Sequence, residues 1–316
     1  MKINVLDSLT LGKDLDLSPL CEIGEVTVYE STTPDEVSAH SKGADVLIIN
    51  KVKINENTLP DTANVKLICL FATGYDNVDT AYCRKKGIGV CNVVGYSTDS
   101  VAQVTVAMVL SLANNLPQFM HHVKSGAYTQ GGVANHLKPS YNELSGKVWG
   151  IVGCGNIGKK VGKVAEALGC KVLANTRTGK TEFENADIDT LCKESDIITI
   201  HAPLSDETRG LIDEDKISIM KKNVIIVNVA RGAVTDEKAI ADAIKNGKIS
   251  GFGADVYSVE PFPQTHPFYE IKDFDNVCLT PHMAWGAFEA RERCLGEIIK
   301  NITAFFSGDV RNRVDI

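Results

Sequence analysis

The sequence predicts an α/β protein built from two doubly wound parallel-sheet domains. Three observations predict it. The chain has 316 residues, more than a single core usually serves. Short continuous apolar runs alternate with capped helical patterns almost throughout, as parallel strands buried on both faces require. Near the middle, a glycine-rich turn joins one such run to a helical pattern.

The first third carries strand patterns at 3–6, 26–29, 45–50, 65–72 and 89–93. Between them, Thr33-Pro34-Asp35-Glu36 reads as a helix start with proline in the first turn. A long helix is expected from 97–99 to about 120, because Val101, Val104, Met108, Leu112 and Leu116 recur three or four residues apart. The polar, glycine-rich stretch 122–142 is too long for a tight turn. It reads either as an arm against a partner or as a surface loop.

A second series starts at Lys147, with strands at 148–152, 171–175, 197–201, 224–229, 251–256 and 277–280. Six strands with intervening helices is the doubly wound count. A last helix at 287–306 carries Phe288, Leu295, Ile298, Ile299, Ile302 and Phe305 on one face. It follows a completed sheet, so it is expected to pack back on the first domain. Residues 1–98 plus 287–316 would then form one discontinuous domain, with 99–286 inserted.

Composition narrows the function classes. The chain is 44% hydrophobic and 23% charged, ordinary for a globular protein with full cores. Its formal net charge of -7 is spread without a basic block, so neither nucleic acid nor an anionic membrane is an expected partner. No apolar run could span a bilayer, and residues 1–6 read as a strand rather than a signal peptide. The 9 cysteines show no C-x-x-C spacing and lie mostly in apolar runs, as Cys69, Cys91 and Cys278 do. They read as buried thiols of a reducing cytoplasm, not as disulfides or a zinc site, and no metal is expected.

Gly153-Cys154-Gly155-Asn156-Ile157-Gly158 is G-x-G-x-x-G. It follows the strand at 148–152, opens the helical pattern 156–168, and precedes the strand at 171–175. That is the setting of a Rossmann dinucleotide site. Gly153 would permit the tight turn, Gly155 the approach of a pyrophosphate, and Gly158 close helix–strand packing. The helix N-terminus at Asn156 and Ile157 would offer N–H groups to the phosphates. The second strand ends Asn175-Thr176-Arg177-Thr178, without the acid that holds the ribose hydroxyls of NAD. Arg177, with Lys180 and hydroxyls beside Thr176, suits a 2′-phosphate and so NADP, or tolerance of both cofactors. Alternatively, Arg177 stacks on adenine or lies in solvent.

If the dinucleotide delivers hydride to a keto acid, the protein must hold the carboxylate with a cation, supply an acid–base group and tune it. Three candidates follow successive strands of the second series, at the carboxyl ends where open α/β sheets bind ligands. Arg231 lies in Asn228-Val229-Ala230-Arg231-Gly232 and can bind a carboxylate bidentately. Glu260 lies in Asp255-Val256-Tyr257-Ser258-Val259-Glu260-Pro261. His282 lies in Leu279-Thr280-Pro281-His282, and a carboxylate beside it would favour imidazolium.

With these segments, the sequence resembles the D-isomer-specific 2-hydroxyacid dehydrogenase family over essentially its whole length. The glycine motif carries the resemblance, with Ile200-His201-Ala202-Pro203-Leu204, Thr208, Asn228 to Gly232, Asp255 to Pro261 and Pro281-His282. Ala72-Thr73-Gly74-Tyr75-Asp76-Asn77-Val78-Asp79 looks like the family's carboxylate-binding turn.

The resemblance implies a Rossmann cofactor domain inserted in a discontinuous, flavodoxin-like substrate domain. The substrate would sit between domains that close over it. His282 would be the proton donor and acceptor, Glu260 its partner, and Arg231 the carboxylate and carbonyl ligand. Backbone amides around Thr73, Gly74 and Tyr75 would hold the carboxylate. Asp255 would contact the nicotinamide carboxamide and Thr98 a cofactor phosphate. Pro203, Thr208, Val229 and Ala230 would line the cofactor cleft. NAD or NADP would be the cofactor, a small 2-hydroxy or 2-keto acid the substrate, and a homodimer the assembly.

Within the family, His282-Met283-Ala284-Trp285 and residues 72–79 look most like glycerate dehydrogenases, also called hydroxypyruvate reductases. Lys51 either reaches a small polar substrate or is a solvated loop lysine. Trp285 either walls the substrate pocket or packs under the final helix. The same fold also serves as an NAD(H)-sensing corepressor that binds protein partners, which is the alternative reading.

Overall fold

The computed structural model describes residues 1–60 and 64–316. The chain divides into two compact units, Met1–Ser97 with Gly286–Ile316, and Thr98–Trp285.

Unit 1 is a parallel sheet of β1 (Lys2–Val5), β2 (Glu25–Val28), β3 (Val46–Ile49), β4 (Leu67–Leu70) and β5 (Gly89–Cys91), in the order β2-β1-β3-β4-β5. Short helices α1 (Val37–His40) and α2 (Thr80–Lys85) connect strands. β3 and β4 are buried at every position, as continuous apolar strands in a sheet covered on both faces should be. β2 departs from that expectation: three of its four residues are exposed. Among the described residues it pairs only with β1, so an edge position, not its apolar pattern, sets its burial. The start read at Thr33 is a capping box, with Thr33 and Glu36 bonding reciprocally. It opens a single 3-10 turn, Pro34–Glu36, before α1. The C-terminal helix Phe288–Phe306 packs on β4, burying Leu295, Ile298 and Ile302.

Unit 2 begins with α3 (Thr98–Ala113), α4 (Leu116–Lys124) and α5 (Ala127–Gly131). The single helix expected to run to about 120 is therefore two. Asn115 stands between them in the left-handed region with φ 49, and proline follows in the first turn of α4. Asparagine tolerates that conformation, and Pro117 has no N–H to continue the first helix's ladder. The stretch 122–142 is likewise not all loop, since α4 and α5 occupy its first half.

The second sheet comprises β6 (Val148–Val152), β7 (Lys171–Asn175), β8 (Glu184–Asn185), β9 (Ile197–Ile200), β10 (Val224–Asn228), β11 (Ile249–Ala254) and β12 (Val277–Leu279). Its helices are α6 (Asn156–Ala167), α7 (Ile188–Glu194), α8 (Glu214–Ile219) and α9 (Glu237–Lys245). The order is β12-β11-β10-β9-β6-β7-β8, all parallel. Six strands were expected; the seventh, β8, is a two-residue edge strand with both residues exposed, too short to leave an apolar pattern. The chain order reverses between β6 and β9, the switch point where such sheets bind ligands. Among the described residues, no helix is long and apolar enough to cross a membrane.

Candidate active site

Strands β10, β11 and β12 are neighbours, so their carboxyl ends lie side by side, about 5 Å apart. Each carries one candidate beyond its end. Asn228, the last residue of β10, is 1% exposed. Its side chain accepts from the backbone N–H of Ala230 (3.0 Å) and donates to the carbonyl of Arg231 (2.9 Å). This folds Val229 and Ala230, both half-buried, into a tight loop ending at Arg231. One Arg231 guanidinium N–H donates to the Ala230 carbonyl at 2.8 Å. Gly232 follows because nothing larger fits: a Cβ would stand 2.2 Å from the Ser258 nitrogen. The loops after β10 and β11 are thus in backbone contact.

Glu260 reaches back over its own loop, accepting from the Tyr257 N–H at 3.0 Å through Oε1. Its Oε2 meets His282 Nδ1 at 2.6 Å, with the two side chains 28% and 22% exposed. His282 has φ 54, a left-handed conformation that costs a side-chain residue about 1–3 kcal/mol. Asp255 holds the turn in that state. Its carboxylate, 2% exposed, accepts from the N–H groups of Met283 and Ala284 (2.8 Å each) and from the Thr280 hydroxyl (2.6 Å). The Tyr257 hydroxyl adds a bond to the Thr280 carbonyl at 2.8 Å. At the other side, the Ser100 hydroxyl near the start of α3 donates to the Ala284 carbonyl. Thr98 is the first residue of α3. Trp285 is half-buried at the end of the same turn.

The turn between β6 and α6 has the shape a dinucleotide needs. Gly153 has φ +88, and a Cβ there would lie 2.4 Å from the Ala202 nitrogen. At Gly158 a Cβ would strike the Gly153 carbonyl at 2.5 Å, whereas at Gly155 it would meet nothing among the described residues within 4 Å. Open space at the middle glycine, before a helix with no side-chain cap, is an anion cradle in form. Two orphaned groups lie beyond the strands that flank β6 on its two sides. Among the described residues, the Thr176 hydroxyl after β7 is buried without a hydrogen-bond partner, as are both ring nitrogens of His201 after β9. Buried polar atoms of that kind ordinarily have partners, and a ligand rich in hydroxyls would supply them. Burial pushes the His201 pKa down to about 3. These residues fit a dinucleotide.

Arg177 and Lys180 are exposed beyond β7. Glu207, in the loop after β9, is held below the usual carboxylate range by the Ser205 hydroxyl first, then by its own backbone and the charge of Arg177. That loop is closed by Thr208, whose hydroxyl donates to the Pro203 carbonyl at 2.6 Å and accepts from the Ser205 N–H at 2.8 Å. An acid does lie within electrostatic reach of Arg177, then, on a loop rather than at the end of β7.

The remaining candidates lie in unit 1, beyond adjacent strands β3 and β4. Lys51 is exposed, and its backbone N–H donates to buried Asp7 at 2.6 Å. The Thr73 hydroxyl donates to the Val93 carbonyl at 2.7 Å, and half-buried Gly74 and exposed Tyr75 follow. Asn77 ties this turn to the Lys51 loop by donating to the Val52 carbonyl at 2.8 Å. Lys51 and the Thr73–Tyr75 turn therefore share the carboxyl end of this sheet.

Sequence reasoning missed three polar groups around the site: His201 as a group of its own, Glu237 and His266. Glu237 reads as an ordinary first-turn acid of α9, and His266 as one histidine in a loop. Only an unpatterned His-Pro step at 266–267 could have marked the latter.

Residues 106–284 match the family described as D-isomer specific 2-hydroxyacid dehydrogenase, NAD binding domain. The chain is 34% identical over 324 residues to a hydroxypyruvate reductase of Blautia hydrogenotrophica, covering 100% of both. It is 34% identical over 292 residues to a glycerate dehydrogenase of Methylorubrum extorquens, covering 92% of each. Among solved structures, D-lactate dehydrogenase of Aquifex aeolicus, complexed with NAD and lactic acid, superposes with a TM-score of 0.87 at 29% identity. That match covers 100% of this chain and 99% of the other.

Proposed function

The chain belongs to the D-isomer specific 2-hydroxyacid dehydrogenase family, and from that premise we propose that it reduces hydroxypyruvate to D-glycerate with NADH or NADPH. The observation that carries this reading is the His282–Glu260 pair at 2.6 Å, beyond β12 and β11, of which β11 adjoins β10, the strand that leads to Arg231. The two relatives' names supply the substrate, at 34% identity; glyoxylate is the smaller alternative.

The cofactor, when bound, supplies a hydride to the carbonyl carbon. In this reading every other service comes from the chain. The guanidinium of Arg231 binds the carboxylate and withdraws charge from the carbonyl. His282 gives its proton to the oxygen as that atom gains charge, and takes one back in the reverse direction. Glu260, on Nδ1, orients the ring and assigns this exchange to Nε2. Gly153, Gly155, Asn156, Ile157 and Gly158 would hold the pyrophosphate, with Thr98 on a phosphate, Thr176 and Arg177 at the adenosine ribose, and Pro203, Thr208, Val229, Ala230 and Asp255 along the cofactor. Thr73, Gly74, Tyr75 and Lys51 are assigned to the acid, and Trp285 to the pocket wall.

A homodimer is part of the proposal. Leu116, Met120, Val123, Tyr128, Val133 and Leu137 are exposed along α4, α5 and the segment after them, a concentration of apolar surface typical of an interface. The cysteines are all free thiols, which supports a reducing, cytoplasmic setting.

The test is a set of initial rates with hydroxypyruvate, glyoxylate and pyruvate, each with NADH and with NADPH. Fast hydroxypyruvate reduction is expected, and faster pyruvate turnover would overturn the substrate assignment. His282→Ala should abolish turnover while leaving cofactor binding intact; near-normal turnover would refute its role. Arg231→Ala should chiefly raise KM for the keto acid and lower kcat.

A further inference from the structure

Behind the His282–Glu260 pair lies a second carboxylate–imidazole pair. Glu237 and His266 are 9% and 6% exposed, and Oε2 stands 2.9 Å from Nε2. Glu237 occupies the first turn of α9, where an acid ordinarily faces its own helix N–H groups. Here Asp236 already does that, accepting from the N–H groups of Lys238 and Ala239. Glu237 turns inward instead. Its Oε1 accepts from the Ser258 N–H at 2.8 Å, and its Oε2 accepts from the Ser258 hydroxyl.

His266 is oriented in turn. The Phe268 N–H lies 3.2 Å from Nδ1, which makes Nδ1 the acceptor and Nε2 the donor toward Glu237. The ring centroids of Phe262 and Phe268 each stand 5.1 Å from that of the imidazole. Donors thus approach both oxygens of a buried carboxylate, and a packed ring supplies one of them. Such networks hold a single geometry because leaving any member unpaired in a low-dielectric site is costly.

The placement of this pair gives it a consequence. Two consecutive backbone N–H groups divide between two carboxylates: Tyr257 donates to Glu260 at 3.0 Å and Ser258 to Glu237 at 2.8 Å. The same two residues abut Gly232, where a Cβ would be 2.1 Å from the Tyr257 carbonyl carbon. Arg231 precedes Gly232, and α9 begins five residues after it. Glu237 is therefore the point at which the Arg231 segment grips the Glu260 segment.

We propose that Glu237 and His266 are positioning residues that set Glu260, and through it His282, relative to Arg231. The proposal rests on the assignment of those three residues to the reaction. A shift of the Ser258 peptide carries the Tyr257–Glu260 hairpin with it, and His282 loses its aim while the glycine turn is untouched. The effect falls on turnover rather than on cofactor binding.

The experiment compares Glu237→Gln, Ser258→Ala, His266→Gln and His266→Leu with His282→Ala, by kcat, KM for hydroxypyruvate, cofactor Kd from nucleotide fluorescence, and Tm. Misplacing a reacting group by under an ångström costs about tenfold or more. Glu237→Gln should therefore lower kcat at least about tenfold while cofactor Kd stays within about twofold. Ser258→Ala, which keeps the backbone bond, should do the same more weakly. His266→Gln retains a donor toward Glu237 and should recover part of the activity that His266→Leu loses. A wild-type kcat in Glu237→Gln, or losses that track Tm alone with no rescue by His266→Gln, overturns the proposal. If His282→Ala is dead and Glu237→Gln is normal, only the positioning claim fails. If His282→Ala turns over normally, the assignment beneath it fails too.

Discussion

Acid should loosen unit 2 through His201. Both ring nitrogens are buried without partners among the described residues, and burial puts the pKa at about 3 against an ordinary 6.5. The folded state refuses the proton that the unfolded chain accepts, so between those two values the unfolded state binds more protons. Stability from this group is fully present above pH 6.5 and is lost as pH falls toward 3. The whole window of about 3.5 units corresponds to about 5 kcal/mol, of which about 2 kcal/mol is spent between pH 8 and pH 5. Both tryptophans, Trp149 and Trp285, belong to unit 2, so their fluorescence follows its unfolding without a contribution from unit 1. Urea titrations at pH 8 and pH 5 should be run on the wild type and on His201→Leu, which fills the site without a titrating group. The leucine variant should lose about 2 kcal/mol less than the wild type on acidification. Equal pH dependence in the two proteins would mean that the imidazole is protonated or solvated in the folded state, and would refute the reasoning.

The motif glycines separate folding from binding. Gly153→Ala must place a Cβ 2.4 Å from backbone at φ +88, and should destabilise unit 2 by more than about 2 kcal/mol in urea. Gly155→Ala enters open space and should melt like the wild type while its cofactor Kd rises; an unchanged Kd would exclude the pyrophosphate from that turn. Arg177→Ala should reduce the NADPH-over-NADH preference in kcat/KM at least several-fold, as loss of a charge-assisted contact would; no change would leave Arg177 as a solvent group. Asp255→Ala removes three donors' acceptor from beneath His282 and should cost on the order of 3 kcal/mol in stability, with turnover lost beyond detection.

The sequence by itself determined whatever is encoded within a strand–turn–helix length. Continuous apolar runs marked the buried strands β3, β4, β6 and β10, because burial on both faces demands them residue by residue. The glycine motif was legible because a left-handed turn and a close approach each exclude side chains locally. Arg231, Glu260 and His282 could be placed after successive strands, since strand ends are readable one at a time. Other features depend on who the neighbours are. β2 has a strand's composition and still lies exposed, because sheet order put it at the edge. The helix expected to reach 120 breaks at Asn115, where a left-handed residue and a proline outweigh an unbroken apolar stripe. The tertiary structure decided that Glu260 meets Nδ1 of His282 from 22 residues away, and that the ring nitrogens of His201 are buried without a partner among the described residues. It also turned an ordinary-looking helix acid, Glu237, onto a histidine 29 residues on. Side chains far apart in the chain meet only after strand order and packing have brought their backbones together, and no local pattern carries that distance.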